Sequence, residues 1–187
     1  MPDRYTKQVR CWRNCLPLLL SALTAVAELV GWMLSDSQAL AAGATHLTLD
    51  VVSRTAHWGT HAPTKRVRPR QLVVAACCLG GAMLLSLALL VVMLGPHRIH
   101  HPAPVEAGWL LYIAPWGVLA AVLNGRAETS RAWPISRDGL LSIVAALSVL
   151  GAALGLVLGG DARIDSMVSM LVVILLVPRL IIAISEF

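Results

Sequence analysis

Ser35-Asp36-Ser37-Gln38-Ala39-Leu40-Ala41-Ala42-Gly43-Ala44-Thr45-His46-Leu47-Thr48-Leu49-Asp50 is a polar passage set among long apolar runs. His46 and Asp50 are four residues apart, so a helix carries both on one face. An imidazole and a carboxylate on a membrane helix are costly unless they serve a purpose. A central Asp alone costs about 2.5–3.5 kcal/mol to insert. The spacing suits two ligands to one divalent metal ion. The plainer alternative is a buried hydrogen-bonded pair that holds helices together.

Working outward, the 187-residue chain is 57% apolar and only 13% charged. That is about half the charged fraction of an ordinary soluble domain, and the mean hydropathy is +0.74. These values predict an all-α, multi-pass integral membrane protein in contact with lipid. The net charge of +5 does not point to nucleic acid, because the basic residues are spread over several loops. Residues 1–15 read as a cytoplasmic N-terminal segment, too polar for a cleaved signal peptide. Residues 16–187 read as the transmembrane domain, with no cytoplasmic domain expected after Phe187. Cys77 and Cys78 lie in an apolar run and read as small hydrophobes. Cys11 and Cys15 have helical spacing, and reduced thiols on an interfacial helix are preferred over a soft-metal site. Nothing suggests a disulfide framework.

A membrane-crossing helix needs about 20 apolar residues. Six runs qualify: 16–34, 38–56, 72–94, 107–123, 139–158 and 164–185, the third closed by Gly95-Pro96. The second is too polar for hydropathy alone and must face protein or a water-filled cavity. Charge supports it. With six spans and a cytoplasmic N-terminus, the outer segments hold only Arg98 and Arg163, and the other thirteen of the 15 basic residues are inside. This bias predicts that both termini are cytoplasmic, and without the second span it disappears. Gly80-Gly81, Ala145-Ala146 and Gly151-Ala152-Ala153 should let helices approach closely.

The stretch from Glu28 to Asp50 resembles the cation diffusion facilitator family of metal–proton antiporters. It carries Glu28-x-x-Gly31, then Ser35-x-Ser37-x-Ala39-Leu40, then His46-x-x-x-Asp50. Further likenesses follow in order: residues 71–76 at the start of the third helix, Asn124 at the end of the fourth, and Ile164-Asp165-Ser166-Met167-Val168-Ser169 at the opening of the sixth. The resemblance covers nearly the whole chain. It implies a six-helix antiporter for divalent metal, with His46 and Asp50 as the first pair of ligands and an acid at Glu28 that lines the cavity.

Three departures stand beside it. The family has a second ligand pair, His or Asp followed four residues later by Asp, in its fifth helix. Here the segment reads Trp133-Pro134-Ile135-Ser136-Arg137-Asp138-Gly139-Leu140-Leu141-Ser142. In one register Asp138 takes the second ligand place and Pro134 replaces the first. In the other, Asp138 takes the first place and Ser142, a weaker hydroxyl ligand, the second. The family's frequent serine at 142 favours the former. The distance to Asp165 and the apolar run beginning at Gly139 favour the latter, to which the balance leans. Asp138 also reads as an ordinary first-turn acid behind a Ser136 cap. Gly43 stands where the family often has an aspartate. The cytoplasmic metal-sensing and dimerising domain of most relatives is not expected after the sixth helix.

Two histidine groups remain. His57 and His61 are four apart and read as interfacial residues. His97, His100 and His101 cluster at the outer end of the third run and form a candidate second metal site. No phosphate loop, nucleophile–base set or haem signature occurs, so an enzyme is not expected, nor a tightly bound cofactor. The expectation is efflux of Zn2+ or another divalent cation as substrate, exchanged for protons. The location expected is a bacterial inner membrane, with a homodimer or heterodimer open. The alternative is a transport-impaired member acting as partner or regulator of a full-length transporter.

Overall fold

The polar passage forms a helix. The computed structural model describes the backbone of residues 3–61, 67–128 and 137–185. It describes side chains within 16–55, 85–126 and 139–178, and those of Cys78, Gly81 and Ala82. Among the described residues the protein is all-helical, with six helices and no strand: α1 (Asp3–Ser35), α2 (Gln38–His61), α3 (Val67–His100), α4 (Ala107–Glu128), α5 (Arg137–Val157) and α6 (Arg163–Ser185). Each expected run coincides with one helix, and α2 and α4 begin at the expected residues Gln38 and Ala107. Three segments among the described residues are long and apolar enough to cross a membrane: Leu16–Ser35, Ala107–Arg126 and Gly139–Val157.

The turn from α1 into α2 is made by side chains. Asp36 adopts a φ of 57°, a left-handed conformation that Asp tolerates better than most residues. Arg98 of α3 fixes it, donating to the Asp36 carbonyl at 2.5 Å and to Oδ1 at 2.6 Å. Ser37 then caps α2, its hydroxyl accepting from the Leu40 amide at 3.3 Å. The other free amides of the first turn meet Asp165 of α6. Gln38 N donates to Oδ2 at 2.7 Å, Ala39 N to Oδ1 at 3.2 Å, and the Ser37 hydroxyl to Oδ1 at 2.6 Å. A carboxylate is favoured there by the unpaired N–H groups and by the helix dipole.

So anchored, α2 runs through the centre and touches every other helix. Residues 37–47 are buried without interruption. Alanines are buried across the bundle: Ala39, Ala41, Ala42 and Ala44 on α2, Ala114 and Ala121 on α4, Ala145, Ala152 and Ala153 on α5. Side chains this small let helix axes approach closely, where dispersion contacts add up. Of the small-residue motifs singled out in the sequence, the α5 alanines therefore serve as expected. Gly151 is exposed, and a side chain at Gly81 would meet nothing within 4 Å.

The bundle's outer face is apolar, and its buried polar side chains lie inside among apolar ones. On α1, Leu16, Leu19, Leu23, Val26, Val30, Met33 and Leu34 are among the exposed residues, while Ser21, Thr24, Glu28 and Ser35 are buried. On α6, Met167, Leu171 and Ile174 face out, and Asp165, Ser166 and Ser169 face in. Helical periodicity sorts the two sets, with the reverse polarity of a helix packed on a water-soluble core.

One expectation fails. Gly95-Pro96 does not end the third helix: α3 continues to His100, and the His101 amide donates to the His97 carbonyl at 2.9 Å. Pro96 lies one turn from the helix end, where its missing N–H removes a single intrahelical bond. Gly95 is a packing notch instead. A Cβ there would stand 3.1 Å from Met170 Cγ of α6. Asn124 likewise does not end α4, which runs on to Glu128.

Candidate functional site

The polar side chains of α2 divide into two kinds. Thr45 and Thr48 turn their hydroxyls back onto their own helix, donating to the Ala41 and Ala44 carbonyls at 2.8 and 2.7 Å. Such bonds satisfy a hydroxyl locally and ask nothing of a neighbour. His46 and Asp50 reach across instead. Both are buried, at 2% and 3% exposure, and both meet Ser142 of α5, itself 1% exposed. The Ser142 hydroxyl donates to Asp50 Oδ2 at 3.0 Å and lies 2.8 Å from His46 Nε2. A hydroxyl has one proton to give. Which partner donates in the shorter bond is set by the tautomer of the imidazole. Ser142 thus joins the imidazole to the carboxylate.

A divalent cation fits this chemistry at two atoms. In its unprotonated form His46 Nε2 is a ligand nitrogen, and the Asp50 carboxylate brings a hard oxygen and negative charge. Ser142 contributes a neutral oxygen. Asp138 belongs to the first turn of α5, four residues before Ser142, but its side chain lies outside the described residues, as do Pro134, Ser136 and the side chains of His57, His61, Cys11, Cys15 and Cys77. Among the described residues, no three His, Cys, Asp or Glu side chains gather into a metal-holding group. His97, His100 and His101 are exposed at the end of α3, where His97 and His101 pair with ring centroids 5.1 Å apart. Cys78 is an exposed free thiol.

Glu28 occupies a second buried position, between α1, α2 and α4. A Cβ on Gly43 would stand 2.6 Å from its Oε2, and a Cβ on Gly117 would stand 2.7 Å from its Oε1. Two glycines therefore make the space that holds the carboxyl. Its Oε2 has no hydrogen-bond partner. Gly43 is the position where the resembled family often has an aspartate, and here the acid in that space comes from α1.

Polar contacts close the opposite end of the bundle. Arg54 of α2 donates to the Asn124 carbonyl at 2.8 Å, and Asn124 Nδ2 donates to Ser21 Oγ of α1 at 2.5 Å. Sequence reasoning assigned no partners to Ser21, Arg54 or Gln38. Gln38 is fully buried beside α3 with neither side-chain atom bonded. Of these, only Ser21 is signalled in the sequence as a polar residue inside an apolar run. A scan against protein-family models finds no match to this chain, and a search of curated proteins finds none either.

Proposed function

We propose that the chain is a six-span membrane transporter that exports a divalent cation, zinc first, from the cytoplasm in exchange for protons. The observation that carries this reading is the convergence of His46, Asp50 and Ser142 at the buried contact of α2 with α5, inside a bundle whose outer surface is apolar. An imidazole and a carboxylate are held there, away from lipid, as a transport pathway requires.

The contact of Ser142 with both α2 residues supports the register in which Ser142 takes the second ligand place of α5 and Asp138 the first. Asp138 is then the third strong ligand, one helical turn from Ser142. The charge bias supports both termini in the cytoplasm, in a bacterial inner membrane. The ion enters from the cytoplasm between α2 and α5. It replaces the proton on His46 Nε2 and binds the Asp50 carboxylate. The helices rock to open the site outward, and external protons return to His46 as the ion leaves. Histidine suits this exchange because its proton affinity lies near neutral pH.

One observation favours the rival reading, a partner or regulator of a complete transporter. Ser142 puts a neutral hydroxyl where a second carboxylate would complete the site. Zinc calorimetry separates the two. Asp50→Asn keeps an oxygen to accept the Ser142 hydrogen bond but removes the charge, so zinc affinity is expected to fall at least about a hundredfold, roughly 2.7 kcal/mol, with the helix content unchanged. Ser142→Asp is expected to tighten binding. Equal zinc affinity in Asp50→Asn and the unmodified chain would remove α2 from the metal site and leave the partner reading.

A further inference from the structure

An exposed pair of histidines lies away from the bundle interior. His97, in the last turn of α3, and His101, the first residue after it, sit one turn apart, both exposed, with their rings 5.1 Å apart and tilted by 43°. The His101 amide donates to the His97 carbonyl at 2.9 Å, so the backbone between them is a closed helical turn that holds the spacing. We propose that His97 and His101 together form a two-imidazole site for a divalent transition-metal ion.

The distance is the first argument. With metal–nitrogen bonds of about 2.1 Å and ring centroids about 1.2 Å behind each nitrogen, two imidazoles on one tetrahedral ion have centroids about 5.4 Å apart. The observed 5.1 Å lies within a few tenths of an ångström of that spacing, and rotation of the two exposed side chains aims a nitrogen of each at one ion.

Electrostatics agrees. The last turn of a helix presents unpaired carbonyls and the negative end of the dipole, which favour a cation. The nearest fixed positive charge, Arg98, is committed elsewhere, its guanidinium bonded to the Asp36 carbonyl and carboxylate. The donor set selects the ion. Imidazole without thiolate suits zinc, copper or nickel, and water completes the shell at an exposed site. His100 belongs to the same turn but to no three-ligand group, so the site has two protein ligands. This inference is independent of the transport reading, since it uses none of the residues of the interior site.

Residue-resolved protection tests it. The purified chain in detergent is treated with a histidine-acylating reagent at increasing zinc, and each histidine is followed by peptide mass spectrometry. Zinc is expected to slow modification of His97 and His101 together, at least about tenfold and with one shared midpoint, while His100 reacts at an unchanged rate. His97→Ala is expected to abolish the protection of His101, and His101→Ala that of His97. Asp50→Asn is expected to leave both protected. Protection of His101 that persists in His97→Ala, protection of His100 equal to its neighbours, or loss of protection in Asp50→Asn would each overturn the proposal.

Discussion

At the scale of single residues, a close fit surrounds Glu28. Its carboxyl rests between Gly43 and Gly117, and an added methyl on either would intrude on an oxygen. A buried side chain held on both sides has little room to swing away. Gly43→Ala is therefore expected to cost about 1–3 kcal/mol by overpacking, and Glu28→Ala in the same chain should remove most of that cost. Thermal unfolding of the two single variants and the double variant in detergent measures the coupling; equal destabilisation by Gly43→Ala with and without Glu28 would show that the two do not meet. His46 and Asp50 are legible in the sequence, because polar residues at helical spacing stand out against apolar neighbours. The Glu28 cradle is not. Glycine carries no sign of what fills the space beside it, and three helices must pack before the carboxyl finds that space. Ser142 lies between these cases. It is visible as a weak ligand on α5, but its bonds to both His46 and Asp50 depend on how α5 is rotated against α2.

At the scale of elements, α2 is the helix that matters most and the one that hydropathy supports least. Its extent was readable from the Ser35-x-Ser37 turn and from the distribution of basic residues. Its anchoring was not. Asp165 is distant in sequence, yet it accepts from Gln38 N, Ala39 N and the Ser37 hydroxyl and so completes the α2 cap. Asp165→Ala is expected to cost about 2–3 kcal/mol, because two buried amides lose their acceptor. Asp165→Asn should cost less, since one oxygen remains. Hydrogen exchange at the Gln38 and Ala39 amides reports the loss directly, as faster exchange confined to the first turn of α2. Unchanged protection of both amides in Asp165→Ala would contradict the assignment. The Gly95-Pro96 pair shows the opposite limit of sequence reading. A glycine and a proline together signal a helix end, but here the glycine makes room for Met170 and the proline falls in the last turn, where little hydrogen bonding is lost.

At the scale of the molecule, five apolar runs and one polar run form a six-helix bundle with an apolar outer face, and the order of its helices is legible from hydropathy, spacing and loop charge before any contact is known. Only the packed bundle reveals which polar residues meet. It brings His46 and Asp50 to Ser142, sends Arg54 to the far end of α4, and leaves the His97–His101 pair at the end of α3. The central claim is that the α2–α5 contact carries a cation across the membrane. Zinc uptake into proteoliposomes loaded with a zinc-sensing dye and buffered to be acidic inside tests it most directly. The unmodified chain is expected to admit zinc while the interior pH rises, and His46→Ala is expected to do neither. Zinc entry no faster than into protein-free liposomes, or equal entry with His46→Ala, would contradict the claim.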